Sequence, residues 1–208
     1  MESTSNYRNY LEFLPTIGIL VFMGLYFYAS TLYPGGSQNN VNSVGFDWVH
    51  NYWCNLMNLQ GINGQPNPAR PIAITGMVIL CTSLALFFIQ FANKVATVRS
   101  WKVIIKLFGI ISMVLAVLIF TRYHDLMTTL SSVFGIFVVI GVIWEIYKSN
   151  MPYFKISGLL CILLLIVNNY VYYTQHGIEY LPLLQKLTFV FVLAWIVGIN
   201  YKMTRKNG

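Results

Sequence analysis

The sequence predicts an all-α polytopic membrane protein, a bundle of six transmembrane helices with an amphipathic helix in the first outer loop. Three observations carry that expectation. The 208 residues are 57% hydrophobic and only 9% charged, whereas about a quarter of the residues of a soluble domain are charged. Six apolar runs each reach the roughly 20 residues with which a helix crosses a hydrocarbon core about 30 Å thick. A single long connection, residues 33–70, separates the first two runs and carries a pattern of its own. The whole chain, 1–208, reads as one domain.

The first run extends from about Leu11 to Leu32. The residues before it, Met-Glu-Ser-Thr-Ser-Asn-Tyr, lack a basic n-region and a small-residue cleavage pattern, so this run is expected to be a retained span. The others cover about Pro71 to Phe91, Val103 to Thr121, Leu126 to Ile146, Phe154 to Tyr173 and Pro182 to Tyr201. Gly18 and Gly24 on the first run, and Ser131 with Gly135 on the fourth, are the small residues expected where helices approach closely. Cys81 and Cys161 lie inside apolar runs and read as core residues. With Cys54 they form neither a CxxC pair nor a disulfide framework.

The long connection opens on Pro34-Gly35-Gly36 and closes on Gly61-Ile62-Asn63-Gly64-Gln65-Pro66-Asn67-Pro68, both turn signals. Between them, Phe46 to Asn58 places Asp47, His50, Asn51, Cys54, Asn55 and Asn58 at helical spacing on one stripe, with aromatic and apolar residues on the remainder. A helix here would press its apolar face into protein or lipid and present a carboxylate, an imidazole, a thiol and amides to one polar space.

Lys and Arg fix the expected orientation. Arg8, Lys94, Arg99, Lys102, Lys106, Lys148, Lys155, Lys202, Arg205 and Lys206 fall on one side, and Arg70, Arg122 and Lys186 on the other. Ten against three of the 13 basic residues puts both termini in the cytoplasm and the long loop outside. The net charge of +7 then reads as topogenic charge facing anionic lipid, with no nucleic-acid partner. His50, His124, His176, Asp47, Asp125 and Glu179 all fall on the outer side. No internal repeat, P-loop, dinucleotide fingerprint or HExxH is present.

Polar groups at membrane depth are costly and tend to face a bundle's interior. The candidate lining residues of an outward-facing pocket are therefore Asp47, His50, Asn51, Asn55, His124, Asp125, Asn169, His176 and Lys186. Each has a plainer reading. Asp125 suits the first turn of a helix, Arg122 and Lys186 suit snorkelling to the interface, and Trp48, Trp53 and the tyrosines near Tyr173 suit an aromatic belt. Of Asn168 and Asn169, at least one must point into the bundle, because consecutive helical residues diverge by about 100°. His50, His124 and His176 with a carboxylate form a ligand set that zinc accepts, although they sit on separate segments without an i, i+4 pair. Cys54 with His50 as its base is a weaker nucleophile arrangement at i, i+4.

The stretch Asn51-Tyr52-Trp53-Cys54-Asn55-Leu56-Met57, with Asn67-Pro68 and a following span containing Gly76, resembles the first exofacial loop of a bacterial six-helix integral membrane family of unknown function. Tyr123-His124-Asp125 with Thr128 is similar to that family's second signature. Here Cys54-Asn55-Leu56-Met57 stands where the family usually has Ser-Asp-Leu-Gly, so either Asp47 replaces the missing acid or the activity differs. More remotely, the plan is similar to the DRAM and Sfk type membrane proteins, some of which act in lipid or GPI-anchor handling. The resemblance implies a multi-pass protein of a bacterial inner membrane. The expected function is binding or handling of a lipid headgroup or small amphiphile in an exofacial polar pocket, with membrane lipids as partners and homo-oligomers left open. The alternatives are a metal-dependent membrane hydrolase using the outer His/Asp cluster and a non-catalytic scaffold or transporter-like protein.

Overall fold

The computed structural model describes residues 11–205. Arg8 and Lys206 of the basic count, and the residues before the first run, lie outside them. Among the described residues the protein is all-α, with six helices long and apolar enough to cross a membrane, which makes it an integral membrane protein. They are α1 (Leu14–Thr31), α2 (Arg70–Lys94), α3 (Arg99–Val117), α4 (His124–Lys148), α5 (Pro152–Thr174) and α6 (Leu181–Arg205). Among the described residues no strand forms. Apolar side chains such as Leu163, Ile166, Ile136 and Val133 stand exposed on these helices. In water they would be a liability, and in hydrocarbon they are the expected surface.

The chain divides into two compact units. Of the described residues, the first comprises 11–21, 77–158 and 194–205, and holds α3 and α4 entire. Its helices meet where small residues let them. Gly109 lies so close to Phe88 that a Cβ there would come within 2.7 Å of the ring, and Gly18 faces Ser83 more tightly still. A Cβ on Gly24, which belongs to the second unit, would meet nothing within 4 Å, so it is not the packing point its sequence suggests. Ser112 and Ser131 bond reciprocally, each hydroxyl donating to the other's carbonyl at 2.8 and 2.9 Å, which joins α3 to α4.

Two polar devices complete this unit. Asn200, fully buried on α6, accepts from the Thr16 hydroxyl at 2.8 Å and donates to the Gln90 side chain at 3.0 Å and the Glu12 carbonyl at 3.1 Å. The Glu12 carboxylate pairs with Lys94 at 2.5 Å. The buried carboxylate of Glu145 accepts from the Thr97 backbone N–H and hydroxyl, both at 2.9 Å, and from the Val98 N–H at 3.2 Å. It therefore caps the start of α3 from α4, supplying acceptors that the helix's own first turn lacks.

The second unit comprises residues 22–76 and 159–193 and contains the long loop. The expected amphipathic helix over Phe46–Asn58 is absent as such. Residues 47–50 make a turn, and a five-residue 3-10 helix covers Trp53–Met57. The reason is chemical. Asp47, Val49, His50, Asn51, Tyr52, Cys54 and Asn55 are poor helix formers, and the Asp and Asn side chains compete for the backbone. Asp47 Oδ1 accepts from the N–H groups of Val49 and His50 at 2.9 and 3.1 Å, and Asn51 Oδ1 accepts from the Asp47 N–H at 2.8 Å.

Replacing Glu145 with Ala leaves the part-buried N–H groups of Thr97 and Val98 and the Thr97 hydroxyl without their acceptor. The expected loss is about 3 kcal/mol, seen as an apparent Tm in detergent lowered by roughly 5–10 °C. Glu145→Gln, which keeps an acceptor, loses less. Equal Tm values for Glu145→Ala and the parent would show that the cap contributes nothing.

Candidate functional site

The loop is held by asparagine side chains used as backbone staples. Asn67 Nδ2 reaches three carbonyls, those of Asn55, Leu56 and Asn58, at 3.3, 3.1 and 2.9 Å, while its Oδ1 accepts from the Ala69 N–H at 3.1 Å. Asn51, fully buried, donates to the Gly36 carbonyl at 2.9 Å. Asn55 Oδ1 accepts from the Tyr52 N–H at 2.6 Å, at the entrance to the 3-10 helix. Asn63 donates to the Pro34 carbonyl at 3.1 Å. Gly36 sits where these strands of chain cross, at φ +82°, and a Cβ there would strike the Ile62–Asn63 backbone. Only glycine suits that point.

Against this framework stands an aromatic and apolar crevice of about 420 Å³, lined by Met23, Tyr26 and Phe27 of α1, Trp48 and Trp53 of the loop, and Leu183, Lys186, Leu187 and Val190 of α6. Trp53 is its keystone. Its ring stands edge-on to Phe22, Tyr26 and Phe189 with centroids 5.8, 5.5 and 5.4 Å away. It is only 8% exposed, so it belongs to the packed interior and not to an aromatic belt. Trp48 closes the other side against Phe27 and Phe46, at 6.1 and 5.2 Å.

Lys186 does not snorkel. It is 6% exposed, and its ammonium donates to the Asn51 carbonyl of the loop and, at 2.9 Å, to the Pro182 carbonyl one turn back. The ring of Phe46 lies 5.6 Å away, a cation–π distance. Its methylene stem forms part of the crevice wall. A charge that sequence position alone would send to the interface instead ties α6 to the loop.

The remaining candidates are distributed differently from the expected polar pocket. Asp47 Oδ2 and His50 Nδ1 pair at 2.8 Å. Burial pushes the Asp47 carboxyl up, but hydrogen bonds from His50 and from the Val49 and His50 N–H groups outweigh it, and the net shift is downward. Asn51 and Asn55 spend their amides inside the loop. Asn169 turns back on its own helix, donating to the Leu165 carbonyl at 2.8 Å, while its neighbour Asn168 reaches Thr188 of α6 at 2.5 Å. His176 is exposed and lies 3.0 Å from the Thr174 carbonyl. His124 and Asp125 belong to the other unit, where they pair with each other at 3.0 Å in the first turn of α4. Among the described residues no three His, Cys, Asp or Glu gather to hold a metal ion. Cys54, whose thiol is pushed up chiefly by burial, is free and makes no hydrogen bond to His50, because the helix that would have joined them does not form. The crevice residues Met23, Tyr26, Phe27 and Val190 carried no signal in the sequence beyond ordinary apolar periodicity.

No family model, curated protein or solved structure matches this chain.

The two kinds of loop staple make separable predictions. Asn67→Asp is nearly isosteric yet turns a carboxylate oxygen toward three carbonyls, so it is expected to expose the loop to proteolysis at least as much as Asn67→Ala. A resistant Asn67→Asp loop would mean that the amide is not what holds it. For Asp47 the lowered carboxyl pKa fixes the sign. Its contribution is complete above the ordinary carboxylate value, about pH 4, and is lost as pH falls through the lower folded value. Hydrogen exchange at Val49 and His50 is expected to lose protection across that acid window in the parent and to show no such step in Asp47→Asn.

Proposed function

We propose that this integral membrane protein binds one apolar chain of a membrane amphiphile in the crevice between α1, α6 and the loop. The observation that carries this is the position of the crevice. Met23 lies eight residues before the end of α1 and Val190 nine residues after the start of α6. At 1.5 Å per residue the crevice therefore extends about 12–14 Å along the spans, well into hydrocarbon depth. What meets such a cleft laterally is a lipid tail. The size also falls in the range of ligand sites, about 300–1,000 Å³.

The crevice walls are apolar, so the expected polar pocket for a headgroup gives way to a site for a chain, with the head lying toward the Asp47–His50 turn. A binding role suits the polar groups better than hydrolysis does. His50 is occupied by Asp47, the Cys54 thiol is pushed up and not activated, and the loop amides serve the backbone. The same reading takes the excess of Lys and Arg on the opposite side at face value. The loop then lies outside a bacterial inner membrane, with both termini in the cytoplasm. Kinship with the bacterial six-helix family, and more remotely with the DRAM and Sfk type proteins, is proposed on the two short motifs alone.

A chain entering the crevice leaves hydrocarbon and not water, so the hydrophobic effect contributes little. Retention depends on packing against the aromatic walls and on what holds the head. Val190→Trp fills the cleft from α6. In native mass spectrometry of protein extracted in mild detergent, the parent is expected to carry a co-purified single-chain or two-chain lipid that Val190→Trp loses, with Leu163→Trp, on an exposed face of α5, as the control that keeps it. Identical lipid occupancy in parent and Val190→Trp would overturn the reading.

A further inference from the structure

We propose that the corner where α4 passes into α5 seats the headgroup of an anionic phospholipid, its phosphate shared by the ammoniums of Lys148 and Lys155. The corner belongs to the first unit and does not depend on the crevice. Lys148 is the last residue of α4 and Lys155 the fourth of α5. Both therefore stand within one turn of a span's end, at the level of lipid headgroups. The ammonium of Lys148 lies 5.1 Å from the centre of the Trp144 ring, and that of Lys155 lies 5.4 Å from the Tyr147 ring. At these cation–π distances each charge is held over an aromatic face while its N–H donors stay free. Among the described residues neither lysine forms an ion pair. The carboxylate of Glu145, in the same turn of α4, is buried and bonded to the start of α3. Two positive charges thus share one corner without a counter-charge.

A second, independent observation makes the anion a lipid. Ile136, Ile140, Trp144 and Tyr147 recur at i, i+4, i+8 and i+11, one stripe of α4, and all four are exposed. The stripe runs about 16 Å along the helix and ends at the two lysines. An acyl chain laid on the isoleucines brings its phosphate to the rings and the ammoniums. A free phosphate or an acidic peptide has no use for such a track. Lysine binds phosphate as a compact point charge, and basic residues at the end of a span attract lipids of net negative charge. A zwitterionic head gains less here, because its own cation is repelled by the second lysine.

The test titrates the full chain, in an uncharged mild detergent at low ionic strength, with dioleoyl phosphatidylglycerol and dioleoyl phosphatidylcholine, which share chains and differ in head. Bound lipid is counted by native mass spectrometry. The parent is expected to bind phosphatidylglycerol about ten-fold or more tighter than phosphatidylcholine, the combined effect of two lysines beside one anionic head. The double variant Lys148→Gln with Lys155→Gln loses that preference. Lys102→Gln with Lys202→Gln, which removes the same charge from exposed positions elsewhere, keeps it, and so does Val190→Trp, which fills the crevice. Trp144→Leu with Tyr147→Leu keeps both charges and weakens the preference. Equal affinities for the two lipids in the parent would overturn the site. So would an equal loss in the two double-Gln variants, which would reduce it to diffuse attraction. Displacement of the bound lipid by an equal concentration of inorganic phosphate would overturn the assignment to a lipid.

Discussion

A chain that leaves a helix at the edge of a membrane must find partners for every backbone N–H and C=O that the helix no longer satisfies. The second unit is built around that constraint. Its long loop has no sheet and only one turn of 3-10 helix to satisfy it, and so it recruits side-chain amides. Asn51, Asn55, Asn63 and Asn67 each bond to backbone, and Asn67 alone gathers three carbonyls. An asparagine carries a donor and an acceptor on one short stem, which lets it imitate a peptide group. That is why this loop is rich in asparagine and why those residues are poor candidates for ligand contacts. Their polar capacity is already used.

Once the loop is fixed in this way, its aromatic residues become a wall. Trp53 is carried by the 3-10 helix into a nest of rings from α1 and α6, and Trp48 is placed by the Asp47–His50 turn. Lys186 then couples the two parts through the Asn51 carbonyl. The same atom that receives the ammonium belongs to the residue whose side chain anchors Gly36, so the charge, the turn and the crevice are mechanically one feature. The first unit solves a related problem by different means. There Glu145 replaces the missing acceptors at the start of α3, and Asn200 joins three helices through side-chain bonds that are all mutually satisfied.

The sequence by itself determined the class of protein and the placement of the six spans, with ends that differ from the observed helices by a few residues. Hydrophobic length is a local property, and lipid enforces it segment by segment. It also indicated that the long loop would be ordered and that one of Asn168 and Asn169 must meet another helix. What only the tertiary structure decided was direction. Asn168 faces Thr188 and Asn169 does not, Lys186 turns inward instead of snorkelling, and Trp53 is buried instead of interfacial. The helical stripe over residues 46–58 failed because regular spacing of polar residues says nothing about whether Asp and Asn will prefer the backbone to the helix. The crevice was invisible for a further reason. A cavity is a property of surfaces brought together from α1, the loop and α6, and no single segment of the chain records the space it will leave against the others.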